Sequence, residues 1–539
     1  MRSLSAFLAS ILFLAPFAFC QEEHHHALTD AELGSVHFST SCRTDLAGSF
    51  NRAVALLHSF QYEDARQAFV EIAVKDPQCA MAEWGVAMSH YHGMWQNGDT
   101  AAGRVALNQA KQIAVNKART TPRETAYIDA LAEIYREDGK DMYTHEQAFE
   151  QKMGALQAAY PQDDEAAIFH ALSLAITAPK TDKTFANQRK CGEILEPIFA
   201  RQPNHPGIAH YIIHCYDNPV LAEKGLGAAR MYARIAPASA HANHMPSHLF
   251  TRVGSWDESI ASNLKSAELA AAAEATSKNG EARDQRLHAM DYLEYAYLQS
   301  GRVNKAKAVL DQMNSLPPIP GLSLTGGYAL AAIPARYTVE LKNWEQASQL
   351  RPHEGSVPWA EAITWAAIGI GSARSGNVAQ AQQAETKLVA LRDATTKQNN
   401  TYWSNQVEVQ RREVAAWIAE QNGKPADALQ LARSAAELEE SMDKAAVTPG
   451  AVTPAREMLA ELFLLERHPS ESLREYEAVL KTAPRRFDAL YGAATAAEAA
   501  GDVSAAANYF KELTEVAGGD ERPELKMARQ KMLAEKASK

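Results

Sequence analysis

The sequence predicts an all-α fold, a solenoid of antiparallel helix pairs, and three observations carry that prediction. First, the histidine pairs His210/His214 and His244/His248 are each spaced i, i+4, and one pair follows the other by 34 residues. A period of that size is one helix-turn-helix unit of a stacked array. Second, a small residue followed four positions later by a large one, with a proline eight positions beyond, recurs along the chain. Third, glycines recur at the matching turn positions. The length agrees: 539 residues exceed what one compact core holds, and 46% apolar with 22% charged residues suit an elongated ordered array.

Each element can be justified in order. Residues 1–20, MRSLSAFLASILFLAPFAFC, combine one arginine, an apolar run and small residues near Ala15 and Ala18, the layout of a cleaved secretory signal. Cleavage after Cys20 places Ala18 at the small-residue position, whereas retention of Cys20 as a lipidated first residue is disfavoured by the bulky Phe17 and Phe19. A periplasmic or secreted location follows. No later apolar run reaches the roughly 18 residues a membrane span needs, so no integral membrane segment remains once the signal is removed. Residues 21–48 form an N-terminal extension containing the polar triplet His24, His25 and His26, which reads as a disordered tail or a loose metal-capturing stretch.

The first repeat holds Tyr62, Ala65, Phe69 and Asp76-Pro77, with Ser59-Phe60-Gln61 as the turn. The small residue lets two helices approach, the aromatic fills the gap, and the proline stops the second helix. This unit closely resembles the tetratricopeptide repeat. The grammar returns at Gly301/Ala306/Leu310, Gly376/Ala381, Gly423/Ala428/Ala432, Ser472/Tyr476/Pro484 and Gly501/Ala506/Phe510, giving about nine or ten repeats. A degenerate copy surrounds Gly254 and Trp256, and residues 95–200 and 311–330 diverge most. The run Pro317 to Gly321 divides the array into an N-terminal lobe, 49–316, and a C-terminal lobe, 322–539, whose lysine-rich end caps the array or frays.

Export makes disulfides permissible among Cys42, Cys79, Cys191 and Cys215. Cys42 with Cys79 would pin the segment before the first helix pair to the next turn, which leaves Cys191 with Cys215, and free buried thiols are the alternative. A net charge of −11 opposes nucleic acid or anionic membrane as a general partner.

The resemblance to tetratricopeptide repeats implies which positions face the concave groove. With Gly254 and Gly301 as turns, His241, His244, His248 and Arg252 fall there, followed by His288, Asp291 and Tyr295 in the next unit, with His210 and His214 in the preceding one. His58 and His92 occupy an equivalent position upstream, beside His90, Trp84 and Trp95, while His170 reads as packed between helices. An i, i+4 pair sets two imidazoles about 6 Å apart on one helix face, near enough to share an ion. His210, His214, His244 and His248 are therefore candidate ligands for zinc, copper or iron, with Asp291 or Asp217 as a carboxylate ligand or supporting group. A metal-free polar pocket and a structural hydrogen-bond ladder are the other readings of the same histidines. Pro246 complicates the second pair, because a helix starting there would leave His244 outside it.

Several stretches, among them Ala82-Glu83-Trp84-Gly85, His205-Pro206-Gly207 to His210-Tyr211, and His244-Met245-Pro246-Ser247-His248, resemble an exported bacterial group of tetratricopeptide repeat proteins. That resemblance implies fold and export. Three functions fit: a scaffold whose groove binds a peptide or protein partner, a metal-dependent hydrolase or oxidoreductase built on the four histidines, or a metal-sequestering protein. There is no HExxH arrangement, no general base stands out, and the oligomeric state is left open.

Overall fold

The computed structural model describes residues 30–95, 98–115, 119–276, 280–318, 324–519 and 522–538. The signal segment, its cleavage point, the triplet His24 to His26 and most of the Pro317–Gly321 run lie outside these residues. The described regular structure is helical, and the helices follow in order as antiparallel pairs. A short α1 (Asp30–Leu33) precedes the pairs α2 (Ala47–His58) with α3 (Tyr62–Lys75), α4 (Ala80–His90) with α5 (Thr100–Val115), and α6 (Pro122–Leu131) with α7 (Met142–Ala159). Next come α8 (Asp164–Ile176) with α9 (Ala186–Arg201), and α10 (Pro206–Tyr216) with α11 (Ala222–Ile235). A broken element, α12 (Ala240–His244) and α13 (Pro246–Arg252), pairs with α14 (Trp256–Thr276). Then α15 (Glu281–Gln299) precedes α16 (Val303–Ser315), and α17 (Leu324–Glu340) precedes α18 (Trp344–Ser348). The array continues with α19 (Pro358–Arg374) and α20 (Val378–Lys397), α21 (Thr401–Gln421) and α22 (Pro425–Glu440), and α23 (Ala455–Leu465) and α24 (Pro469–Thr482). It ends with α25 (Phe487–Ala499), α26 (Val503–Val516) and α27 (Pro523–Ser538).

This is the α-solenoid the periodicity predicts, with more pairs than the nine or ten counted from sequence. The excess lies in the segment from 95 to 200. There α5 to α9 pair normally, but caps such as the Thr121/Glu124 capping box and the Asp141 and Asp163 N-caps set their boundaries instead of the glycine-proline grammar. Turn glycines do what the sequence assigned them: Gly254, Gly301, Gly376, Gly423 and Gly501 all have positive φ. The small-residue rule is equally physical. A Cβ on Gly85 would stand 2.3 Å from the ring of Phe69, so α4 closes on α3 only because position 85 has no side chain.

Packing continues across the proline-rich run, since Ala329 and Ile333 of α17 share a core with Leu293 and Tyr295 of α15. Both disulfides form as paired in the sequence reading, Cys42–Cys79 and Cys191–Cys215, the second joining α9 to α10. The superhelix also turns back on itself. The connection after α22 reaches the N-terminal half, where Asp443 N–H donates to the Lys180 carbonyl (2.8 Å) and Lys444 meets Asp217 (2.9 Å). Arg486 links α25 to Glu340 of α17 and Glu457 of α23 with all three side chains buried. No described helix is long and apolar enough to cross a membrane.

Candidate metal centre

The helix α10 begins at Pro206, which supplies the first-turn φ without needing an N–H partner, and His205 caps it by accepting from Ile208 N–H. Every residue of this helix is buried, so its i, i+4 pair projects into the protein interior. His210 and His214 bring their Nε2 atoms to 3.0 Å, and His241 from α12 brings its own Nε2 to 2.9 Å from that of His210. The second pair survives the proline. The helix breaks at Met245 and restarts at Pro246, yet the His244 and His248 Nε2 atoms still meet at 3.0 Å, because Met245 keeps right-handed helical dihedrals across the join. His288 from α15 completes this set, its ring centroid 4.2 Å from that of His244. The result is two buried imidazole trios, His210/His214/His241 and His244/His248/His288, each with its ligand atoms within 4.8 Å of one another.

Hydrogen bonds on the far side of the rings decide which nitrogens carry protons. His210 Nδ1–H donates to the His58 carbonyl (2.6 Å), leaving its Nε2 a bare lone pair. The Asn263 amide donates to the Ser259 carbonyl (2.8 Å), so its Oδ1 faces His244 and must accept from His244 Nδ1–H (2.7 Å). His248 Nδ1–H donates to Asp217 (2.9 Å). His244 and His248 therefore point two lone pairs at each other, which is repulsive unless a cation lies between them. A proton is a poor candidate for that cation. Burial holds the imidazoles of His210, His214, His241, His244 and His288 well below the ordinary histidine range, with mutual proximity of the histidines pushing the same way. Burial also lowers His248, although Asp217 opposes it.

The geometry can be tested against a real ion. Metal–nitrogen bonds of about 2.0–2.1 Å at tetrahedral angles separate the nitrogens by about 3.3 Å, near the 2.9–3.0 Å contacts given above. Both nitrogens of His288 are buried and have no hydrogen-bond partner among the described residues. Neither trio includes a carboxylate or thiolate.

Asp217 supports the second trio, as the sequence reading allowed. It accepts from His248, from Arg252 Nε (2.8 Å) and from Lys444 (2.9 Å), and the two cations overcome burial to hold its carboxyl well below the usual range. Asp291 does not join the histidines: it faces Arg336 (2.7 Å), which also holds Glu294 (2.9 Å), all three side chains fully buried. Burial pushes Glu294 up to about 8 and raises Asp291 as well, and the Arg336 guanidinium they share opposes both shifts. Tyr295 lies beneath that guanidinium. His58 is core, bonded to Tyr211 (2.9 Å) and Glu165 (2.9 Å), and Glu165 also meets His205. Trp84 packs among Phe38, Tyr127 and Phe169, away from the trios. His92 stacks on Tyr62 at the edge of the cavity beside the trios, and His170 is buried between α7 and α8.

The concave side is also not an open groove at this point. Chain residues 443–450 occupy it, with Tyr292 O–H donating to the Thr448 carbonyl and Arg252 reaching Asp443. Sequence reading missed this plug, along with Asn263 and the ring of Phe60. Phe60 has φ 54° in the α2–α3 turn, and its ring lies edge-on to His210 (4.4 Å) and stacked on His214 and His241 (5.6 and 5.5 Å). A cavity of about 400 Å³ opens beside the trios, lined by His241, His244 and His288.

No family model matches the chain, and no curated protein matches it. Among solved structures, human IFIT1 in its dimer with m7Gppp-AAAA is similar at 12% identity and a TM-score of 0.37, covering 90% of this chain and 92% of that one. Yeast Tom70 is similar at 12% identity and a TM-score of 0.30, covering 76% and 96%. The P58(IPK) TPR domain follows at 14% identity and a TM-score of 0.22, covering 69% and 99%. These scores are low, and the fold class rests on the chain's own helix pairs.

Proposed function

We propose that the chain is a helical-repeat metalloprotein in which the two imidazole trios each hold a transition-metal ion. The observation that carries this is the pair His244/His248, whose Nδ1–H groups are committed to Asn263 and Asp217 so that two bare Nε2 atoms meet at 3.0 Å. Neutral all-nitrogen ligands favour copper over zinc and zinc over iron(II). Three ligands leave a coordination position for water or substrate, the arrangement of a catalytic rather than a purely structural site. The bordering cavity supports the enzyme reading over sequestration. A partner-binding role for the outer scaffold is compatible with this centre, but the chain's own residues 443–450 fill the groove at the histidines.

The test is elemental analysis of protein produced without an affinity tag and reconstituted with copper(II) or zinc(II). The expected content is two ions per chain, one lost on His244→Ala and both on His210→Ala/His244→Ala. Folded protein that takes up no ion overturns the reading.

A further inference from the structure

The cavity beside the trios has a chemistry of its own. His241 of the first trio and His244 and His288 of the second form one wall. Phe60, Tyr62 and Trp95 form another, with Trp95 edge-on to His241 (5.8 Å) and to His288 (6.2 Å). Two further features point to an occupant. Ser266, 1% exposed, lines the cavity with a hydroxyl oxygen that has no partner among the described residues, as do the two unpartnered nitrogens of His288. The lining also carries two acids, Glu281 and Asp284, on the same helix as His288, and burial, reinforced by Asp64, Glu63 and Asp284, pushes Glu281 up to about 7.

We propose, resting on the metal reading above, that this cavity binds a compact aromatic molecule, neutral or cationic, that presents an oxygen or nitrogen donor to the metal. A volume of about 400 Å³ is at the small end of ligand pockets and suits one ring or a fused pair. Flat aromatic walls select a flat apolar body, since ring pairs gain from offset and edge contacts beyond the area they bury. Ser266 offers one hydrogen bond that orients the ring, and the donor atom reaches the coordination position that three histidines leave open. The carboxyl groups of Glu281 and Asp284, two turns and one turn before His288 on α15, repel an anion and accept from an ammonium group.

The test uses the full zinc-loaded chain and a series of phenols, phenol, cationic tyramine and anionic 4-hydroxybenzoate, with cyclohexanol, whose ring is saturated and puckered, as the non-aromatic control. Calorimetry should give one tyramine or phenol per chain, with 4-hydroxybenzoate and cyclohexanol at least about tenfold weaker. Trp95→Ala should weaken phenol about tenfold with metal content unchanged, and Glu281→Gln should narrow the gap between tyramine and 4-hydroxybenzoate. Two bound ions with no phenol binding, or with the anion or cyclohexanol bound as tightly as phenol, overturn the proposal and leave the metal reading standing. A chain that binds no metal overturns both.

Discussion

Asn263 touches no metal position, yet it selects the proton arrangement on which the second trio depends. In Asn263→Leu the His244 Nδ1–H loses its acceptor while the branched outline of the side chain is kept. The ring is then free to move its proton to Nε2, where it can donate across the 3.0 Å gap to His248 Nε2. The metal-free state thus gains a hydrogen bond that an ion must break. Loss of such an orienting partner typically costs 10- to 100-fold in affinity, or about 1.4–2.7 kcal/mol. The first trio has its own orienting acceptor, the His58 carbonyl, so its affinity should not change. A competitive chelator titration that resolves two binding steps is the assay. One step should weaken by about that factor while the other stays. Equal weakening of both steps, or none in either, would refute the argument that the Nδ1 contacts fix the ligand lone pairs.

Other outcomes follow from buried groups elsewhere. Arg336→Met leaves Asp291 buried without its cation and should cost about 3–5 kcal/mol in urea unfolding, whereas adding Asp291→Leu and Glu294→Leu should recover most of it. Metal-free protein should lose stability as pH falls below about 6.5, because the unfolded chain then binds protons that the buried trios, held below that value, cannot. Each such histidine contributes up to about 1.4 kcal/mol per pH unit, and melting curves from pH 7.5 to 5.5 should show a drop that bound metal shrinks. Gly85→Ala, a gain in most helices, should here destabilise by about 1–3 kcal/mol, measured by thermal melting, because its Cβ meets Phe69.

Much of the scaffold was legible because its rules are local. Tyr62, Ala65 and Phe69 announce a helix pair within one unit, and a glycine marks its own turn through positive φ. The histidines were legible for the same reason: i, i+4 spacing and a 34-residue offset are sequence distances. What could not be read is what the superhelix brings together after many turns. Asn263 lies on the antiparallel partner helix, 19 residues from His244, and Lys444 reaches Asp217 across 227 residues. The repeat register assigns Asp291 and Tyr295 to the groove, but α17 packs over them, and Arg336 draws both residues into a buried ion network. Trp84 failed as a groove residue because α4 is buried on nearly all sides, so helical position no longer distinguishes groove from core.

The turn at Phe60 places the scaffold and the centre in direct competition for one residue. Positive φ there suits glycine, and a bulky side chain in that conformation costs of order 1 kcal/mol, yet only a ring at this position covers three imidazoles at once. Phe60→Gly would relax the backbone and open the first trio to water. Transplanting the six histidines onto an idealised helical repeat, with a glycine in every turn, would therefore reproduce the ligands without their roof. A designer borrowing this centre would have to copy the strained turn as well.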